Sequence, residues 1–219
     1  MGYWLTKLVL WPYLRLAFRV RTEGLEHVPA QGAAILASNH VSFCDSLFLP
    51  LVVRRRLTYV AKAEYFDDWK TAWFFRACGH IPIRRGPGAQ WRRALESAVA
   101  ALEEGHLLVI YPEGTRSKDG RLHRGHTGIA MVALRTGAPV IPVGLIGTRE
   151  AQPIGRRFPR PFHTITIRIG SPLDFSAYQD RAGERLVLRS VTDTVMAEIQ
   201  HLSGQEYADR YAATGRATP

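Results

Sequence analysis

His40 and Asp45 stand five positions apart in the segment Ser38-Asn39-His40-Val41-Ser42-Phe43-Cys44-Asp45. An imidazole, with an ordinary pKa of about 6.5, is the side chain best suited to take a proton from an alcohol at neutral pH. It works best with a carboxylate that fixes its tautomer and stabilises the imidazolium. Asp45 can reach back across one turn to do this, and a place near a helix start favours its ionised form. Helix capping by Asn39, Ser42 or Asp45 would account for the same residues without chemistry. Cys44, four positions after His40, is a rival nucleophile, set against the ordinary use of cysteine as a small buried group.

Two further segments carry candidate residues. Gly79-His80-Ile81-Pro82-Ile83-Arg84-Arg85 is a short apolar strand ending in two arginines before Gly86-Pro87-Gly88. Such a pair can grip a phosphate, or can simply be solvated charge before a turn. Val109-Ile110-Tyr111-Pro112-Glu113-Gly114-Thr115-Arg116-Ser117 runs from a buried strand into a tight turn. That turn sets exposed backbone N–H groups beside one acid, Glu113, and one guanidinium, Arg116. It suits a polar anionic ligand, and a plain β-turn with charged trim is the alternative.

These residues need a frame to hold them. Short apolar runs at 33–38, 57–61, 81–83, 106–111, 140–146 and 164–169 predict strands. Helical patterns fall at 46–53, 69–78, 90–104, 126–136 and 184–201. In 90–104, Trp91, Leu95, Val99 and Leu102 recur at helical spacing and Gly105 stops the helix. Alternation of strands and helices predicts a single α/β domain with a mostly parallel central sheet flanked by helices. The first candidate segment then sits where such domains bind ligands, after a buried strand and before a helix.

The segments taken together, in this order, resemble the glycerophospholipid acyltransferase family, over roughly residues 24–175. His40 and Asp45 match its His-four-residues-Asp motif, with Asn39 before it and Ser42 inside it. Gly79–Arg85 matches its Gly-x-Ile-x-Ile-x-Arg motif, and Glu113–Ser117 match its Phe/Tyr-Pro-Glu-Gly-Thr-Arg-Ser motif. Ala138–Val143 looks like its fourth, apolar block. The resemblance implies transfer of an acyl chain from acyl-CoA or acyl carrier protein to a lysophospholipid hydroxyl, by default that of 1-acyl-sn-glycerol-3-phosphate. It makes His40 the base and Asp45 its partner. It assigns Lys62, Arg85 and Arg116 to the acceptor's phosphate, and Glu113, Gly114 and Thr115 to a substrate-binding loop. No metal or redox cofactor is implied, the thioester being a co-substrate. Arg84, often Asp or Asn in the family, and His126, often small or lysine there, depart from its pattern.

Charge and the N-terminus bear on partners. The 219 residues carry a formal charge of +10, with 25 arginines against four lysines. Such an excess favours phosphate-bearing partners, either nucleic acid or anionic lipid. There is no Cys/His finger, RNP-like strand motif or long basic helix, so nucleic acid is not expected. Two distant cysteines exclude a disulfide scaffold. No apolar run approaches the ~20 residues needed to cross a bilayer. Residues 1–23 hold Tyr3, Trp4, Trp11, Tyr13 and Phe18 among leucines and cations, a composition suited to a helix lying in the headgroup plane. Packing on the protein's own core is the alternative. The expected layout is an interfacial amphipathic helix over 1–23, an acyltransferase domain over 24–202 and a polar, fraying tail over 203–219. The expected location is peripheral, on the cytoplasmic face of an anionic membrane.

Overall fold

The computed structural model describes residues 2–67, 72, 76, 80–83 and 89–213. Strands β1 (Arg19–Glu23), β2 (Ala34–Ser38), β3 (Leu57–Lys62), β4 (Ile81–Ile83), β5 (Leu107–Ile110), β7 (Val140–Ile146) and β8 (Thr164–Ile169) form one sheet in the order β1-β8-β7-β2-β5-β3-β4. β6 (Leu122–His123) and β9 (Tyr207–Ala208) form a separate pair. All pairings are parallel except β7 with β8, so β7, β2, β5, β3 and β4 point one way and β1 and β8 the other. The helices are α1 (Gly2–Ala17), α2 (Asp45–Val52), α3 (Glu64–Asp67), α4 (Ala89–Glu103), α5 (Gly128–Thr136), α6 (Thr148–Ala151) and α7 (Arg185–Ser203). A single α/β domain with a mostly parallel sheet under helical layers results.

Side-chain alternation along the strands builds the two layers. Ala34 and Leu36 of β2 join Leu14 and Phe18 at the end of α1 and Phe48 and Leu49 of α2 on one face. Ile35 and Ala37 join Leu95 and Leu102 of α4, Ile129 of α5 and Val195 and Ile199 of α7 on the other. Covered on both faces, all five residues of β2 are buried. That is why Ala-Ile-Leu-Ala-Ser reads as a continuous apolar run. Gly144 of β7 lies against the last turn of α7. A Cβ there would stand 2.6 Å from the carbonyl carbon of Leu202 and 2.7 Å from the Ser203 nitrogen. Gly144→Ala is therefore expected to destabilise the fold by about 1–3 kcal/mol in urea titration, because helix backbone must shift.

Three expectations need correction. The segment 1–23 is not one helix: α1 ends at Ala17, and Arg19–Glu23 is a strand paired with β8 from Arg19↔Thr164 to Glu23↔Arg168. Its charged alternation suits a half-exposed edge, which hydropathy does not flag. The tail does not fray at Ser203. Tyr207–Ala208 pairs with Leu122–His123, and Gln205 donates to the Gly120 carbonyl at 2.7 Å. Third, the N-terminal helix packs partly on the core. Tyr3, Leu14 and Phe18 are buried, and the Lys7 ammonium donates to the Val53 carbonyl at 2.6 Å. Its other face leaves Trp4, Leu8, Trp11 and Leu16 exposed. Most of the helix expected over 69–78 lies outside the described residues. No helix among the described residues is long and apolar enough to cross a membrane.

Candidate active site

The parallel strands bring the candidate segments to one rim. β2 and β5 are hydrogen-bonded neighbours with Ala37 opposite Ile110, so residues 39–45 and 111–117 leave the sheet side by side. β3 and β4 end beside each other, with Lys62 opposite Ile83. The backbone of Lys62 thus lies at the carboxyl edge that carries the other segments. Arg84 and Arg85 lie outside the described residues.

The His40–Asp45 pair forms as expected. His40 Nδ1 is 2.8 Å from Asp45 Oδ2. The same oxygen accepts the backbone N–H groups of Val41 and Ser42, each at 2.8 Å. Three donors on one carboxylate oxygen fix its place, and Nδ1–H must be the donor to an ionised acceptor. That tautomer leaves the Nε2 lone pair for a substrate, and Nε2 has no partner among the described residues. Asp45 is fully buried at the first turn of α2, whereas the His40 side chain is 17% exposed. A buried anion with a half-open imidazole is the arrangement a general base requires. Asn39 does not cap a helix: its amide bridges to the Leu145 carbonyl and N–H, at 2.9 and 2.8 Å, and to Gln205.

Glu113 turns inward. Its side chain is buried and accepts the His40 N–H on one oxygen at 3.1 Å and the His123 N–H on the other at 2.9 Å. Burial pushes its carboxyl up to about 7, against the pull of these two donors. In this structure Glu113 is a strut between the two loops. Gly114 follows in the left-handed region (φ 69°) and is exposed, with a ring carbon of His126 3.1 Å from where a Cβ would stand. A side chain there would be strained twice over. Thr115 and Arg116 are half-buried, and the Arg116 guanidinium makes no hydrogen bond or ion pair to a described residue. The loop is tied down on either side of it: the Ser117 N–H donates to the His40 carbonyl at 2.7 Å and the His126 N–H to that of Pro112 at 2.8 Å.

Sequence reasoning missed several supporting groups. The Tyr111 ring stacks on the His40 imidazole, with centroids 3.9 Å apart and planes 11° apart, while its hydroxyl meets Ser46 Oγ at 3.1 Å. Ser42 donates to the Gln152 carbonyl at 2.8 Å. His126 stacks on Tyr211 at 4.7 Å, which adds the C-terminal segment to this side of the site. Position 111 inside the third motif was the one visible hint; nothing near 152, 205 or 211 signals a role. Cys44 is fully buried, donates to Gln152 Oε1 at 3.1 Å, and burial pushes its thiol up to about 12. A thiol so placed is a poor nucleophile.

Comparison with known proteins identifies the family. A family model described as Acyltransferase matches residues 19–146. The chain is 32% identical over 139 residues to the chloroplastic 1-acyl-sn-glycerol-3-phosphate acyltransferase of Arabidopsis thaliana, covering 63% of this chain and 39% of that one. It is 32% identical over 174 residues to the 1-acyl-sn-glycerol-3-phosphate acyltransferase of Limnanthes douglasii, covering 79% and 60%. It thus spans between two fifths and three fifths of the length of these relatives. The crystal structure of the 1-acyl-sn-glycerophosphate acyltransferase PlsC from Thermotoga maritima superposes with a TM-score of 0.70 at 27% identity, covering 90% of this chain and 76% of that one. The family match spans β2 and β5, and the chain belongs to the acyltransferase family.

Proposed function

We propose that this protein transfers a fatty acyl chain from acyl-CoA or acyl carrier protein to the free hydroxyl of 1-acyl-sn-glycerol-3-phosphate, giving phosphatidic acid. The observation that carries the reading is the His40–Asp45 pair, with Nε2 unpartnered among the described residues and the His40 side chain 17% exposed. His40 Nε2 takes the hydroxyl proton as that oxygen attacks the thioester carbonyl carbon. Asp45 stabilises the imidazolium. The carbon–sulfur bond then breaks, and the thiolate leaves with the proton from His40. No acyl-enzyme forms and no metal or redox cofactor is used. The names of similar chains support the acceptor.

Arg116, without a partner among the described residues, is assigned to the acceptor's phosphate, together with Lys62 and Arg85. Gly114 and Thr115 border the same ligand. Holding the acceptor there makes the attack effectively intramolecular. The exposed face of α1 and the basic excess hold the protein on an anionic membrane surface, on the cytoplasmic side where soluble thioesters are supplied.

The test is thiol release from palmitoyl-CoA with purified protein and a panel of acceptors. Release that requires 1-acyl-sn-glycerol-3-phosphate supports the proposal; release with no acceptor, or with none of them, overturns it. Arg116→Ala is expected to raise KM for phosphate-bearing acceptors about tenfold and to leave neutral lyso-lipids nearly unchanged, the loss of one charged hydrogen bond. Equal losses on both would remove Arg116 from the phosphate.

A further inference from the structure

The connection between β7 and β8 presents a second apolar surface. Phe158 and Phe162 are 68% and 82% exposed, beside exposed Ile154. Residues 153–163 read Pro-Ile-Gly-Arg-Arg-Phe-Pro-Arg-Pro-Phe-His, with three arginines and no acid. All three arginines are exposed, and the Arg157 guanidinium lies 5.3 Å from the centre of the Phe158 ring. This is a firmly held loop. The Arg160 N–H donates to the Ala151 carbonyl at 2.7 Å, and the buried Gln152 amide donates to the Arg156 and Arg157 carbonyls at 3.1 and 3.2 Å. Phe162 has φ 68°, alone in the left-handed region among the described non-glycine residues. That strained turn lets its N–H donate to the Ala17 carbonyl at 2.6 Å while its ring points to solvent. It places Phe162 at the end of α1, a helix whose Leu16 is 84% exposed.

We propose that the 153–163 loop is a second membrane contact, an aromatic wedge ringed by arginines that enters the headgroup region of an anionic bilayer alongside α1. The proposal rests on the membrane-surface reading of α1 given above and extends it to a separate element. Aromatic rings interleaved with cations suit the boundary between headgroup and acyl chain. The arginines match anionic lipid, and the Phe162 N–H bond to the Ala17 carbonyl fastens the loop to the end of α1. The loop is also tied to the site. Gln152, which holds its backbone, accepts Ser42 Oγ through its own carbonyl and Cys44 Sγ through its side chain, within the loop that carries His40 and Asp45.

The experiment is co-sedimentation of the full chain with phosphatidylcholine vesicles, with and without phosphatidylglycerol. Arg156→Gln/Arg157→Gln/Arg160→Gln is expected to lose about 10²-fold in partition to phosphatidylglycerol vesicles, at roughly fivefold per cation, with little change on phosphatidylcholine. Phe158→Ser/Phe162→Ser loses about tenfold or more on both. Phe162→Gly separates the role from folding. It removes the left-handed strain and is expected to raise the melting temperature by about 2–4 °C while still weakening vesicle binding. Loop variants that bind like the parent while Trp4→Ser/Trp11→Ser does not would overturn the loop contact and keep the α1 reading. A parent chain that binds no vesicle overturns both. Loop-dependent, salt-sensitive binding to duplex DNA without vesicle binding would instead mark a nucleic-acid patch and also overturn the proposal.

Discussion

Replacing His40 by alanine is expected to lower kcat by about 10²–10⁴-fold and to leave the KM of either substrate within about threefold. In the proposed step this side chain is the proton acceptor, and its removal would leave the proposed binding contacts on Arg116 and the surrounding loops in place. Added imidazole should recover part of the rate, since the deleted ring leaves a space above Tyr111 that a free imidazole can enter. Asp45→Asn is expected to cost less, about 10–10²-fold. The backbone N–H groups of Val41 and Ser42 both point at the position of Oδ2. They force the amide oxygen of an asparagine into that place, so the His40 tautomer survives and only the negative charge is lost. Its NH₂ would then take the place of Oδ1, which is buried and without a partner among the described residues, so some stability is lost as well. Cys44→Ala is expected to keep kcat within about twofold. A dead cysteine variant together with an acyl adduct on Cys44 in the parent would refute direct transfer, and thiol release measured in parallel for all three variants decides between the routes.

What the sequence makes visible follows from how local each interaction is. His40 and Asp45 meet within one turn of chain, so spacing alone implied the contact. The parallel strands were legible because Ala34–Ser38 and Val140–Ile146 are buried on both faces and carry almost nothing polar. β1 was missed because Arg-Val-Arg-Thr-Glu is an edge strand with charges on its open side, where burial leaves no mark on composition. α1 was legible as an aromatic, cationic helix. Which face it turns inward was not, because Trp4 and Trp11 are as apolar as Leu14 and only the position of the Val53 carbonyl draws Lys7 in. Glu113 shows the limit most clearly. Its motif was plain, yet its direction depends on two amides, one of them 73 positions away, brought near only when β2 and β5 pair. A carboxylate in a turn reads as a ligand group until the fold shows both of its oxygens occupied.

Glu113→Gln is accordingly expected to act through shape and to leave substrate binding alone. Both carboxylate oxygens accept a backbone N–H, from His40 and from His123. A glutamine offers one acceptor and one NH₂ group, so whichever way it turns, a buried N–H faces another donor. One of the two loops must move. If it is the loop of His40, the base leaves its line with the acceptor hydroxyl, and kcat falls about 10–10²-fold while the acceptor's KM stays within a few-fold. A selective rise in that KM would instead make Glu113 a substrate ligand. The pH dependence of stability gives an independent check. Burial raises the folded-state carboxyl from 4.5 to about 7. The stability its protonated form contributes is complete below 4.5 and is lost as the pH rises through 7, amounting to about 3 kcal/mol. The parent should therefore lose stability in urea between pH 5 and about 8, and Glu113→Gln, with nothing to titrate at that place, should show a flatter curve across the same window. Identical slopes for the two proteins would mean that the carboxyl is already ionised at pH 5. The loop contacts would then be held by a permanent anion, and the destabilisation on going to glutamine should grow to that of an unpaired buried donor at every pH in the range.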